Sequence, residues 1–221
     1  MKHEQHSPTV NPMIDEIASR MAEKAPWFTE PVVEAIRGIS DTRKATRVRE
    51  VLDNVMVRLE KFESKLSELY VKTPDFKRLL RRLMQLSGDE PREEKRRLYA
   101  AFLFISIISP LESAENQTRM LDILKQLNSD HVRLLQSLMN LPVQQTLYAK
   151  SPLQMLQTQI PDIPSDRMRG LLTQITQMGI TTISDWSSGA YSDPEKVRKN
   201  FTAIGARLLR IINARRDSGK E

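Results

Sequence analysis

The three histidines are the side chains in this 221-residue chain best suited to acid–base work or metal binding. His3 and His6 stand three apart, a spacing that can hold a metal ion, but they fall in a polar opening segment that reads as a tail. His131 follows Asp130 at a helix start. A general base needs a positioned partner and a substrate cleft, and the surroundings suit a surface or interhelical histidine better. Glu60, Glu63 and Glu68 alternate with lysines along one helical segment. They resemble exposed charges flanking a seam, because a di-metal set needs Glu-x-x-His pairs on separate helices. Cysteine is absent, which removes thiol nucleophiles, Cys-ligated zinc and disulfides. The chain also lacks a P-loop, His-Glu-x-x-His and Gly-x-Ser-x-Gly. These residues predict a protein that is not an enzyme and uses no metal or cofactor.

Charge points instead to binding. Thirty-four Lys and Arg against 28 Asp and Glu give +6, a mild basic excess. Lys77, Arg78, Arg81 and Arg82 recur at i, i+1, i+4 and i+5, forming one basic stripe along a helix. Arg92, Lys95, Arg96 and Arg97 follow, countered by Glu93 and Glu94. Either an anionic partner docks on these residues or they form a solvated face making i,i+4 pairs.

The elements that must carry these residues are mostly helical. Seven glycines and 5% aromatics are too few for a tightly turned β-sandwich or a Gly-rich nucleotide-binding sheet. Residues 1–12 and 217–221 read as tails. A short helix ends near Lys24 before Pro26, and another spans about Glu30 to Ile39. Ser40 or Asp41 caps a long helix reaching about Val71. Val48, Leu52, Val55, Leu59, Phe62, Leu66 and Leu69 repeat along it at steps of 4 and 3, so one narrow seam faces a helix of the same chain or a second copy in a homodimer. Thr73-Pro74 starts a helix that stops at Gly88. The next helix enters the apolar run Leu98 to Ile108, shorter than the roughly 20 residues needed to span a bilayer. The run suits a helix buried on all sides, with membrane insertion as the alternative. Helices at about Glu112–Leu127 and Ser129–Asn140 complete an antiparallel bundle built on a long hairpin, residues 13–140. The polar start has no apolar signal region, and a cytoplasmic, non-membrane protein is expected.

Pro142, Pro152, Pro161 and Pro164 then mark a boundary near 141–152, with the helix at 129–140 assignable to either side. A short helix at Leu153–Ile160 leads to a helix capped by Ser165 and ended by Gly179. Gly179 to Trp186 is β-branched and strand-like, Ser187 to Asn200 is polar, and Thr202 caps a closing helix. Trp27 and Trp186 read as packing anchors.

Two segments resemble the winged helix-turn-helix family. Leu171-Leu-Thr-Gln-Ile-Thr-Gln-Met-Gly-Ile180 is similar to the end of its recognition helix. Phe201-Thr-Ala-Ile-Gly-Ala-Arg-Leu-Leu is similar to the stretch that leaves its wing, where Gly205 permits close packing. The resemblance spans about residues 129–216. A charged bundle followed by such a unit also resembles a broad group of poorly characterised bacterial helical proteins, which lends no activity. The resemblance implies an all-α protein: a helical bundle followed by a winged-helix-like unit (141–216) with a short β-ribbon. It further implies that the third helix enters the major groove. Met168, Leu171, Leu172, Ile175 and Met178 then face inward, while Asp166, Gly170, Thr173 and Gln177 face out, flanked by Arg167, Arg169 and Gln174. The wing would add Lys196, Arg198 and Lys199, and the closing helix Arg207, Arg210, Arg215 and Arg216. The expected function is a non-enzymatic regulator whose winged unit contacts DNA and whose bundle dimerises or senses a partner. The alternative is an adaptor that binds protein and no nucleic acid.

Overall fold

A computed structural model describes residues 12–60, 68–110, 113–141 and 150–216. His3 and His6, the seam residues Phe62 and Leu66, Pro142 and the closing tail lie outside these. The described residues are mostly helical and form two compact units, Met1–Thr118 and Arg119–Glu221. The division falls before the proline cluster at 142–164 because helix 129–139 packs on the later helices.

The first unit begins with α1 (Pro12–Lys24) and α2 (Pro26–Ile36). Pro26 opens α2 instead of merely interrupting the chain, since its missing N–H belongs to the unsatisfied first turn. Trp27 and Phe28 therefore sit on a helix; Phe28 is buried against Phe76 at 6.1 Å between ring centroids. Asp41 caps α3 (Thr42–Leu59), its carboxylate accepting from the N–H groups of Arg43 (2.8 Å) and Lys44 (3.0 Å). The described helix stops at Leu59 instead of running on to Val71. The short α4 (Glu68–Val71) follows, with Leu69 85% exposed. Val48, Leu52, Val55 and Leu59 are each at most 3% exposed in the single chain. Helices α1, α5 (Pro74–Asp89) and α6 (Glu93–Ile108) pack on α3, so this part of the seam is an intramolecular core.

Thr73 caps α5, accepting from Phe76 N–H, with Pro74 in the first turn. Gly88 ends up one residue inside the helix, where an added Cβ would lie 3.2 Å from Lys44 Cβ. Every residue of α6 from Leu98 to Ile107 is buried, which is why the run is apolar all round instead of along one stripe. No helix of the described residues is long and apolar enough to cross a membrane.

Helix α7 (Ala114–Gln126) crosses the division. In the second unit α8 (Ser129–Met139) is the hub, packing on α9 (Pro152–Gln159), α10 (Ser165–Gln177), α11 (Pro194–Lys199) and α12 (Ala203–Arg216). The expected β-ribbon is not present among the described residues. The strand-like stretch makes a single antiparallel bridge, Thr181 to Phe201, and the expected wing contains a turn at Gly189–Tyr191 and helix α11. Asp193 and Pro194 supply a side-chain cap and a first-turn proline there, and these local helix-start signals outweigh a ribbon that needs long-range pairing.

Candidate nucleic-acid interface

The C-terminus of α10 is built as the sequence suggests. Gly179 holds φ +71°, donating to Thr176 O (2.9 Å), and Ile180 N–H reaches Ile175 O (3.2 Å). These two bonds form a Schellman motif, which needs a left-handed residue that glycine adopts at least cost. Thr202 then ties two helix ends together: its hydroxyl donates to Gly179 O (2.7 Å) and accepts from Gly205 N–H (3.0 Å). A Cβ on Gly205 would lie 2.0 Å from Ile180 O, so glycine lets α12 touch that backbone. Trp186 is buried, donating to Thr176 Oγ1 at 3.2 Å. At the other end, Ser165 does not cap α10. Pro164 occupies the cap position without a side-chain bond, and Ser165 Oγ accepts from Gln157 Nε2.

Met168, Leu171, Leu172 and Ile175 are buried, while Asp166, Arg167, Arg169, Gly170, Thr173, Gln174 and Gln177 are exposed. The amphipathic reading of this helix thus places its two faces correctly, with Met178 half-buried. The outward residues are not equivalent. Arg167 pairs with Asp130 on α8, and Gln174 Oε1 lies 2.8 Å from Nε2 of the buried His131. Thr173 Oγ1 donates to Arg169 O one turn back (3.0 Å). Arg169 and Gln177 have no side-chain partner among the described residues.

The three expected wing cations lie on α11. Arg198 donates to Met139 O (3.0 Å), a favourable cation at the C-terminal end of α8, and pairs with Glu195 (2.8 Å). Lys196 and Lys199 are exposed and make no ion pair among the described residues. Arg210 on α12 is likewise exposed and unpaired there, Arg207 is half-buried, and Arg215 and Arg216 lie in the last turns of α12. Arg133 on α8 grips Asp162 through two 2.8 Å bonds, and each holds the other in its charged form: the carboxyl is pushed below its usual range and the guanidinium above.

The basic stripe of the first unit is engaged within the fold. Lys77 and Arg81 both pair with Glu34 on α2, at 2.9 and 3.0 Å, and Arg78 pairs with Asp75. The ammonium of Lys77 hydrogen-bonds Glu34 and holds its carboxyl below the ordinary value. Arg82 lies beside them, half-buried. In the following cluster Lys95 and Arg96 are buried. Arg96 donates to Glu50 Oε2 (2.8 Å) and to the carbonyls of Glu90 (3.1 Å) and Pro91 (2.7 Å). Arg92 grips Glu90 in a bidentate pair, and Arg97 pairs with Glu93. Arg78–Asp75 and Arg97–Glu93 are local pairs along one helix, as the sequence allows; the contacts to Glu34 and Glu50 come from α2 and α3 and are invisible in a linear reading.

Charge is therefore distributed unevenly. Met1–Thr118 carries 20 Lys and Arg against 19 Asp and Glu, net +1; Arg119–Glu221 carries 14 against 9, net +5. No group of three or more His, Asp or Glu among the described residues can hold a metal ion. A hollow between α1 and α3, lined by Ile17, Met21, Leu52 and Met56, measures about 50 Å³. Such a hollow takes a few waters at most, far below the volume of a small-molecule site. Compared with known proteins, the chain matches no family model, no curated protein and no solved structure.

Proposed function

We propose that this is a non-enzymatic regulatory protein whose second unit contacts duplex DNA. The observation that carries the reading is the outward face of α10, where Arg169 and Gln177 are exposed and unpaired among the described residues, in the unit that holds +5 of the +6 net charge. Lys196 and Lys199 on α11 supply further cations for phosphates. Cations that neutralise phosphates displace condensed counterions from the DNA, giving an affinity that falls with salt at a slope near 0.9 per neutralised phosphate. The test is retention on random duplex DNA across graded salt. The wild-type chain is expected to elute at raised salt, and the triple variant R169Q/K196Q/K199Q to lose nearly three slope units. Unchanged retention in that variant rejects this surface.

A second reading, an adaptor that binds protein, is favoured by a different observation. Asp166 stands on the same face, and Arg167, Gln174 and Arg198 are engaged within the fold. It predicts no duplex retention at moderate salt and a stable complex in a pull-down from the native host.

A further inference from the structure

The exposed amide of Gln174 is oriented by a histidine that the solvent does not reach. His131 is 2% exposed, and its backbone N–H donates to Asn128 Oδ1 (3.0 Å) in the capping box that starts α8. In return the backbone N–H of Asn128 donates to His131 Nδ1 (3.3 Å). A backbone amide can only donate, so Nδ1 carries no proton, and the proton of the neutral imidazole sits on Nε2. Nε2 therefore donates to the oxygen 2.8 Å away, Gln174 Oε1. The polarity of the whole relay is set by one peptide group. It leaves Gln174, an exposed residue, with its carbonyl engaged and its NH2, two donors, with no partner among the described residues.

We propose that Gln174 is a one-way hydrogen-bond donor that selects guanine in the major groove, and that His131 is the positioning residue that sets its direction. This rests on the DNA reading of α10. A free glutamine recognises adenine by using its carbonyl and its NH2 together, on N6 and N7. Here the carbonyl oxygen is turned onto the buried imidazole and is not presented beside the NH2, which disfavours the bidentate adenine pair, while the paired acceptors of guanine, N7 and O6, fit two donors. Fixing the side chain before binding also removes part of the ordering entropy that a free glutamine loses.

The experiment selects sites from a randomised duplex with the full chain and its variants. Wild type is expected to enrich guanine at one position. Gln174→Lys, a donor without an acceptor, keeps that preference; Gln174→Glu, an acceptor without a donor, loses about tenfold in affinity for the selected site. His131→Phe frees the carbonyl and broadens the position to admit adenine. The Gln174 variants change an exposed side chain, so the proposal does not depend on the buried substitution being tolerated. An adenine preference in the wild type, or Gln174→Glu weakening every sequence equally as a phosphate contact would, overturns the proposal while leaving DNA binding intact. Absence of salt-dependent duplex binding by the wild type overturns the DNA reading itself.

Discussion

The two units treat the same residue types in opposite ways. In Met1–Thr118 the cations are dense in sequence and nearly balanced by acids, net +1, and many meet a carboxylate on another helix: Arg20 with Asp53, Arg49 with Glu16, Lys77 and Arg81 with Glu34, Arg96 with Glu50. In Arg119–Glu221 they are sparser but in excess, and Arg169, Lys196, Lys199 and Arg210 have no ion-pair partner among the described residues. The most basic-looking stretch of the sequence is thus the one whose charge is neutralised internally. The exposed pairs among these add little stability; their effect is to leave little field for a polyanion to find.

The units also differ in how they are held. The first is organised around α6, whose side chains from Leu98 to Ile107 are all buried, so volume matters most there. The second depends on a left-handed residue at Gly179 and on close backbone approach at Gly205. Phe102→Ala, emptying a fully buried ring site, is expected to cost about 4 kcal/mol in urea unfolding. Gly205→Ala places a methyl 2.0 Å from Ile180 O and is expected to cost about 3 kcal/mol. A loss within 1 kcal/mol shows that α12 can move away from that backbone, and the contrast between the units weakens.

Charge contrasts give smaller effects. Lys77→Gln with Arg81→Gln is expected to leave duplex retention unchanged, whereas Lys196→Gln with Lys199→Gln lowers the salt slope by nearly two. The reverse result would return the anionic surface to the first unit. The smallest effect concerns Glu90, whose carboxyl is held below its usual value by the Arg92 side chain, with further help from Arg92 N–H. Because the folded state lowers this value, the stabilisation is present above the ordinary carboxylate range and is lost as pH falls through the folded value. Glu90→Gln should flatten the acid limb of a stability–pH curve. An unchanged acid limb shows that the pair contributes nothing to it.

Much of the fold was legible because its signals are local. Asp41, Thr73-Pro74 and Gly179 act within one helical turn, and Thr202 and Gly205 mark the start of α12 through the same short-range chemistry. The apolar run at 98–108 announced a buried helix through composition alone. The heptad pattern continues in the sequence past Leu59, where the described helix stops, and residues 61–67 of the expected long helix lie outside the described residues. The ribbon was misread because β-branched residues at 180–183 favour a strand only if a partner strand exists, and Asp193-Pro194 begins a helix where that partner was expected.

The candidate surface divides along the same line. Helical periodicity assigned the outward face of α10 without knowledge of any neighbour, since 100° per residue is a property of the backbone. Which outward residues remain available was decided only by tertiary structure. Asp130 and Asp162 are remote in sequence from Arg167 and Arg133, and His131 lies 43 residues from Gln174. Pairing across such separations depends on how α8 crosses α10, and no local pattern encodes that. The sequence by itself determined most of the helices, several of their caps and the polar face of α10; the packing decided which charges are free.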